Sequence, residues 1–306
     1  MSEKISLHHM ICFGEILWDV LPTGAMPGGA PMNVAYHLKK LHHDPKLITR
    51  VGHDQWGKEL IELMERNEIS TEFFQMDHKL ETGKVIANLF DSQNVNYEIL
   101  APVAWDNILW ESSFEKLFTG ENCLIYGSLV TRNENSRKTL YQLLELAKTK
   151  VLDINLRAPF FQKETIDMLL SRADLLKLND SELELITGWF AHYDTEEDRI
   201  RLLQDRFHIP TIVLTKGRQG CTLAHHGKFY QHHGFEVDVA DTIGSGDAFL
   251  AGFLSCFFKG ISWQSTLEYA NALGALVASY SGACPEYKED EIQLLINRKY
   301  QNINVS

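Results

Sequence analysis

Short apolar runs alternating with amphipathic stretches govern what this chain can fold into. Runs suited to strands occur at residues 11–13, 46–51, 123–126, 151–154, 175–178 and 211–214. Between them lie helix-like stretches at 32–41, 57–67, 135–148, 163–170, 181–186 and 195–207. In the third stretch, Leu140, Leu143, Leu144 and Ala147 recur at spacings of three and four, which gives a helix one apolar face. Strands of this kind, each followed by a helix, fit a parallel sheet covered on both sides. The rhythm breaks at 82–102, TGKVIANLFDSQNVNYEILAP, which reads as two strands around a turn at Asp91-Ser92-Gln93-Asn94. A hairpin embedded in an α/β chain projects from the main sheet as a lid or a dimer surface. A second hairpin is expected after Cys221, turning near His226 and Gly227, and helices at 246–259, 263–280 and 289–299 complete the pattern. With no internal repeat or low-complexity linker, the 306 residues are expected to form one main domain with a small accessory sheet.

Composition narrows the function. The formal charge of −12 repels phosphate backbones, so no nucleic-acid partner is expected. The five cysteines, Cys12, Cys123, Cys221, Cys256 and Cys284, are odd in number and form no C-x-x-C, which fits buried thiols in a reducing cytoplasm. The opening MSEKISLHHM has no apolar signal core, and the apolar stretch at 248–258 is too short to span a bilayer, so no membrane partner is expected. The pairs His8/His9, His42/His43, His225/His226 and His232/His233 lack H-E-x-x-H spacing and read as exposed loop histidines. Phe249, Phe253, Phe257 and Phe258 recur at helical spacing and read as core.

The chemistry concentrates in residues 241–249, DTIGSGDAF. Gly244, Ser245 and Gly246 run into an almost wholly apolar helix, which gathers unpaired backbone N–H groups and the positive end of a helix dipole at one point. Such a point suits a phosphate. Asp247 is either a plain helix-start acid or a catalytic carboxylate. The segment is neither a dinucleotide fingerprint, because Phe249 stands in place of the third glycine, nor a Walker A loop.

What the segment resembles is the D-T-x-G-[AS]-G-D-x-F signature of the ribokinase-like, or PfkB, carbohydrate kinases. A chance match in this length is on the order of one in ten thousand. The resemblance implies a three-layer α/β sandwich with a mostly parallel central sheet. It implies one domain over 1–306, with a small β-sheet lid made from roughly 16–27 and 71–104. It also implies a catalytic base at Asp247, with the Gly244 and Gly246 backbone holding the transferred phosphate. PGGAPMNVA, residues 27–35, is similar to the family's first signature, and by that similarity Gly29 and Asn33 touch sugar hydroxyls while Asp19 in GEILWDV accepts hydrogen bonds from them. DINLR places Asp153, Asn155 and Arg157 at a strand end, where alternate residues share a face, and Arg157 reaches the sugar. In KLNDSE, residues 177–182, Lys177 meets the nucleotide, while Asn179 and Glu182 act on Mg²⁺ through its waters. In isolation Glu182 is equally an ordinary acid in a first helical turn. LTKGRQG, residues 214–220, resembles the nucleotide loop, with Thr215, Gly217 and Gly220 at the family's spacing and Asn271 on the same ligand. Lys216 and Arg218 face either phosphates or solvent. Asp241 and the SGACP loop at 281–285 frame a possible K⁺ site.

The implied reaction moves the γ-phosphate of ATP onto a primary sugar hydroxyl. With a loose transition state, an unshifted carboxylate is an adequate base. GEILWDVLP, GGAPMNVA, YGSL and NLR look closest to fructokinases, with ribose, 2-keto-3-deoxygluconate and nucleosides as alternative acceptors. A non-catalytic sugar-binding regulator is the alternative of a different class. The hairpin is expected to close over the sugar as a lid, with Gly28 and Gly29 as its hinge, and to serve as a homodimer surface.

Overall fold

The computed structural model describes residues 9–22, 24–91 and 94–303. All six apolar runs are strands. In chain order the elements are β1 (His9–Phe13), β2 (Leu17–Leu21), β3 (Gly24–Gly28), α1 (Ala30–Lys40), β4 (Lys46–Gly52), α2 (Gln55–Arg66) and β5 (Phe74–Asp77). Then come β6 (Gly83–Asp91), β7 (Asn94–Ile99), β8 (Asn122–Gly127), α3 (Glu134–Leu146), β9 (Thr149–Asp153), α4 (Lys163–Leu170), β10 (Leu175–Asn179) and α5 (Asp180–Gly188). The remainder is α6 (Glu196–Phe207), β11 (Thr211–Thr215), β12 (Cys221–His225), β13 (Lys228–His232), α7 (Ser245–Phe258), α8 (Trp263–Ala278) and α9 (Glu289–Ile303).

The main sheet has nine strands in the order β13-β12-β11-β10-β9-β8-β1-β4-β5. It is parallel from β11 to β5, and the β12–β13 hairpin adds two antiparallel edge strands. That hairpin turns at His226 and Gly227, both with positive φ (46° and 77°), as the right-handed twist of a two-residue hairpin requires. Alternate strand residues feed two cores. Phe13, Tyr126, Leu152, Leu176 and Leu214 pack under α3, α4, α5 and α6, against Leu143, Ile166, Ile186 and Ile200. Cys12, Ile125, Val151, Leu175 and Val213 pack under α1, α2, α7 and α8, against Leu38, Leu60, Phe253 and Leu267. The result is helix, sheet, helix: three layers. Phe249, Phe253 and Phe257 stack along α7 at 6.4 and 6.0 Å, and Phe253 alone, fully buried, is worth roughly 1.5–3 kcal/mol of transfer free energy.

A separate four-stranded sheet runs β3-β2-β6-β7, joining the expected hairpin to the segment after Glu15. Ser92 and Gln93 of its expected turn lie outside the described residues. The expected lid boundary is too generous. Phe74–Asp77 pairs with β4 and extends the main sheet, and Ala104–Asn107 is a 3₁₀ turn whose Trp105 is buried in the main core. Arg132 anchors this junction: its guanidinium bonds both Asp106 oxygens (2.6 and 2.8 Å) and the Leu100 carbonyl (2.7 Å), and stacks 3.9 Å from the Trp105 ring centre. The end of β7 is thereby pinned to the body.

The histidine expectation needs correction. His8 lies outside the described residues, but His232 is buried and accepts from the Gly234 N–H, and His43 bonds the Ser255 hydroxyl. Four of the five cysteines are buried, Cys284 is half-buried, and all five are free thiols. No helix among the described residues is long and apolar enough to cross a membrane.

Candidate active site

Asp247 stands in the first turn of α7 because a glycine bend starts that helix. Gly244, at φ 76°, packs so closely that a Cβ would lie 2.5 Å from Ala283 Cα. Gly246 and Asp247 follow with first-turn N–H groups that the helix itself leaves unpaired, while the Ser245 N–H reaches back to the Thr242 carbonyl at 3.3 Å. Across from them, α1 brings Asn33, whose Nδ2 donates to Asp247 Oδ2 at 2.8 Å. Gly29 caps the start of α1; its φ is 114° and a Cβ there would sit 2.4 Å from the Glu15 carbonyl oxygen. At Gly28 a Cβ would come within 2.3 Å of Asp19 Oδ2. The glycine pair is thus explained by close approach, Gly28 making room for the Asp19 carboxylate, without any need for a hinge.

The ends of β9 and β10 supply a buried ion pair beneath this turn. Asp153 and Lys177 both point to the α7 face of the sheet, and Lys177 Nζ bonds the Asp153 oxygens at 2.9 and 2.7 Å. The ammonium also lies 3.4 Å from where a Gly246 side chain would begin. Burial alone would lower the Lys177 pKa, but Asp153, Asp247 and Glu182 together carry it upward, so it stays charged. The strand alternation expected through Asn155 and Arg157 stops at Asp153. Asn155 has φ 40°, outside strand geometry, and Arg157 is exposed with Nη1 on the Leu156 carbonyl. Its charge still reaches the site, lowering the pKa values of Glu15, Asp19 and Asp247.

Asp247 is not the unshifted carboxylate expected. Burial, then the Asp153 charge, push its pKa up to about 6 against the pull of Lys177, Asn33 and Arg157. Burial likewise raises Asp19 to about 6, with Asp241 adding to the rise. A base at Asp247 would have to be ionised, so on that reading kcat/KM for the acceptor should fall below about pH 6, with a slope above one because Asp19 titrates in the same range. A profile flat from about pH 5 to pH 8 would separate both carboxylates from the rate. The effect on stability has the opposite sign. Since folding raises these values, their contribution favours the fold at low pH and is lost as pH rises through about 6.

Asn179 and Glu182 form a capping box at the start of α5. Asn179 Oδ1 accepts from the Glu182 N–H (3.0 Å), and Glu182 Oε2 accepts from the Asn179 N–H (2.9 Å). Glu182 Oε1 accepts from the Leu156 N–H at 2.8 Å. Each oxygen keeps a further lone pair. In the segment expected to form the nucleotide loop, Thr215 ends β11 and its hydroxyl reaches the Leu178 carbonyl. Gly217 and Gly220 have φ of 52° and 85°; a Cβ at Gly220 would collide with the His232 carbonyl oxygen at 1.9 Å, while Gly217 faces open space. Lys216 is turned from bulk solvent and bonds the Glu196 carboxylate (3.0 and 3.3 Å) and the Thr222 hydroxyl (2.9 Å). Arg218 is exposed. Asn271 is buried on α8, donating to the Leu267 carbonyl and the Cys221 sulfur. Asp241 bridges two loops, accepting from the N–H groups of Ile243 (3.0 Å) and Gly282 (3.2 Å), which brings it against the 281–285 segment.

Sequence reasoning missed Glu15. It is buried, burial drives its pKa to about 7, and Oε2 finds no hydrogen-bond partner among the described residues. The signal was a lone acid in the apolar run CFGEILW.

The architecture has counterparts among known proteins. A fructokinase from Xylella fastidiosa with bound ATP superposes with a TM-score of 0.85 over 95% of this chain and 99% of that one, at 20% identity. A fructokinase double mutant from Vibrio cholerae O395, solved with fructose, ADP and potassium ion, gives 0.81 over 95% and 99%, at 21% identity. "Probable fructokinase-7" of Arabidopsis thaliana is 28% identical over 326 aligned residues, covering 94% of this chain and 92% of its own. Fold and site define a ribokinase-like sugar phosphotransferase. The model of the pfkB family carbohydrate kinases matches residues 14–290, and the chain belongs to that family.

Proposed function

We propose that this kinase transfers the γ-phosphate of ATP to a hydroxyl of fructose, with Asp247 accepting the hydroxyl proton. The observation that carries the reading is Asp247 itself: a carboxylate raised to about 6, in the first turn of α7, bonded to Asn33 and flanked by the Gly244–Gly246 turn. A binding protein has no use for a base held at that cost. Asp19 faces the charges of Arg157 and Asp241 and is the acceptor for further sugar hydroxyls, together with Asn33 and the Gly29 backbone. Backbone N–H groups from Gly244 to Asp247 hold the transferred phosphate, and Lys177 lies close enough to offset the charge that develops there. Thr215, Gly217, Gly220 and Asn271 form the nucleotide side. The fructokinase relatives support fructose as acceptor over ribose, a nucleoside or a keto-deoxy acid.

The charge balance fits a divalent cation. Asp153, Glu182 and Asp247 interact electrostatically around the single ammonium of Lys177, leaving net negative charge beside the phosphate turn. Mg²⁺, held through water by Glu182 and Asn179, would neutralise charge on the nucleotide phosphates. Asp241 and the 281–285 loop are the proposed K⁺ site, in keeping with the potassium ion in the Vibrio relative's structure. Met26 and Tyr97, both exposed on the small sheet, are proposed contacts of a homodimer, and the free thiols suit a cytoplasmic protein. Coupled ADP-release assays over ketoses, aldoses, sugar acids and nucleosides test the reading. Fructose should give the highest kcat/KM; preference for another acceptor removes the fructose assignment, and no turnover with any of them removes the kinase.

A further inference from the structure

Residues 283–285 are fastened to α1 by three consecutive hydrogen bonds. The Ala283 carbonyl accepts from His37 Nε2 (2.9 Å), the Cys284 thiol donates to Asn33 Oδ1 (3.4 Å), and the Pro285 carbonyl accepts from the Tyr36 hydroxyl (2.9 Å). One protonation pattern satisfies all of them. A carbonyl only accepts, so His37 carries its proton on Nε2 and its Nδ1 accepts from the Tyr287 hydroxyl at 3.0 Å. Burial holds the His37 pKa down to about 4, which keeps the ring neutral. An amide oxygen only accepts as well, so in the contact with Asn33 Oδ1 the Cys284 thiol is the donor. The other end of the Asn33 amide is the group that donates to Asp247.

We propose that Cys284 is a positioning residue for the base: its S–H, located by the His37 and Tyr36 bonds on either side, fixes the Asn33 amide in the orientation that donates to Asp247. The inference rests on reading Asp247 as the base. An asparagine amide has two ends of nearly equal shape, and a sugar hydroxyl arriving at Nδ2 competes with Asp247 for the same donor. With Oδ1 engaged by the thiol, turning the amide sets oxygen against carboxylate and loses both bonds. The other charged groups acting on Asp247 are Asp153 on β9, Lys177 on β10, and Arg157; Glu15, behind Gly29, is coupled to it as well. Among the described residues the thiol's partners are Asn33 Oδ1 (3.4 Å) and, at the longer distance of 3.9 Å, Met32 Sδ, and none of these charged groups bonds it. A cavity of about 110 Å³, lined in part by Pro27, Met32, Tyr36, Leu63, Met64 and Cys284, leaves room for a branched side chain at 284.

The test is the pH profile of fructose phosphorylation with Mg-ATP for Cys284→Val, Cys284→Ala, Cys284→Ser and Asp247→Asn. Cys284→Ser keeps the donor and should keep the wild-type acidic limb. Cys284→Val and Cys284→Ala should lower kcat about fivefold and move the acidic limb to higher pH, since the Asn33 bond that holds Asp247 down is loosened. Melting temperature should change little, and Cys284→Ala covers the case in which the valine does not fold. A wild-type limb and kcat in both apolar variants overturns the role of Cys284 while leaving the base in place. A wild-type slope surviving in Asp247→Asn overturns the base, and the inference with it.

Discussion

Asp247→Asn should lower kcat by at least about 10²-fold, with KM for the sugar nearly unchanged. The substitution keeps the shape of the side chain and its place in the first turn of α7, and Asn33 Nδ2 can still donate to the remaining amide oxygen. What disappears is the proton acceptor. A second signature accompanies the loss. Burial and Asp153 raise Asp247 to about 6, so holding it ionised at pH 8 costs the fold roughly 2–3 kcal/mol. The neutral amide carries no such penalty, and Asp247→Asn should melt higher than the wild type at pH 8, with the gain shrinking toward pH 5. Activity and stability then move in opposite directions from one atom change, which a general disruption of the site cannot produce. A variant keeping more than a tenth of wild-type kcat takes Asp247 out of the mechanism.

Much of this arrangement is legible in the amino-acid order, for identifiable reasons. A parallel strand buried on both faces needs a mostly apolar run, so β1, β4, β8, β9, β10 and β11 announce themselves, as do most of the crossover helices. β5 does not. Phe74–Asp77 is a four-residue edge strand carrying Gln75 and Asp77, and those two side chains bind Arg50 on the neighbouring strand. Polar pairing of that kind leaves no apolar signature, and the segment reads as part of the lid. At the site, DTIGSGDAF and the glycine pair carry their meaning locally, because a tight bend needs glycine wherever it falls. Electrostatics do not work that way. The pKa of Asp247 depends on Asp153, 94 positions earlier, and on Lys177 from yet another strand, so only the folded sheet shows that the carboxylate is raised. Lys216 fails for the same reason: its partner Glu196 sits on α6, and nothing in LTKGRQG predicts it.

Lys177→Met should destabilise the protein by roughly 3–5 kcal/mol, because it leaves Asp153 buried without the ammonium it pairs with. The methionine fills the stem of the lysine, so the effect comes from charge rather than from a cavity. At about 2–4 °C per kcal/mol for a chain of this size or somewhat smaller, the melting temperature should fall by roughly 6–20 °C. Changing both partners tests the cause. Asp153→Asn combined with Lys177→Met removes the stranded charge and should recover most of the stability, a coupling of several kcal/mol in a double-mutant cycle. Recovery of stability should not bring back activity. Lys177 is also one of the groups that hold the Asp247 pKa down, and without it the acidic limb of the rate profile should move above about 6. In the double variant Asp153 no longer raises Asp247 either, so the limb should return toward its original place while kcat stays low for want of the ammonium beside Gly246. Three readouts then separate three roles: melting temperature follows the ion pair, the pH limb follows the charge around the base, and kcat follows the cation at the phosphate turn. If Lys177→Met melts within about a degree of wild type, the pair beneath α7 is not what holds these strand ends together.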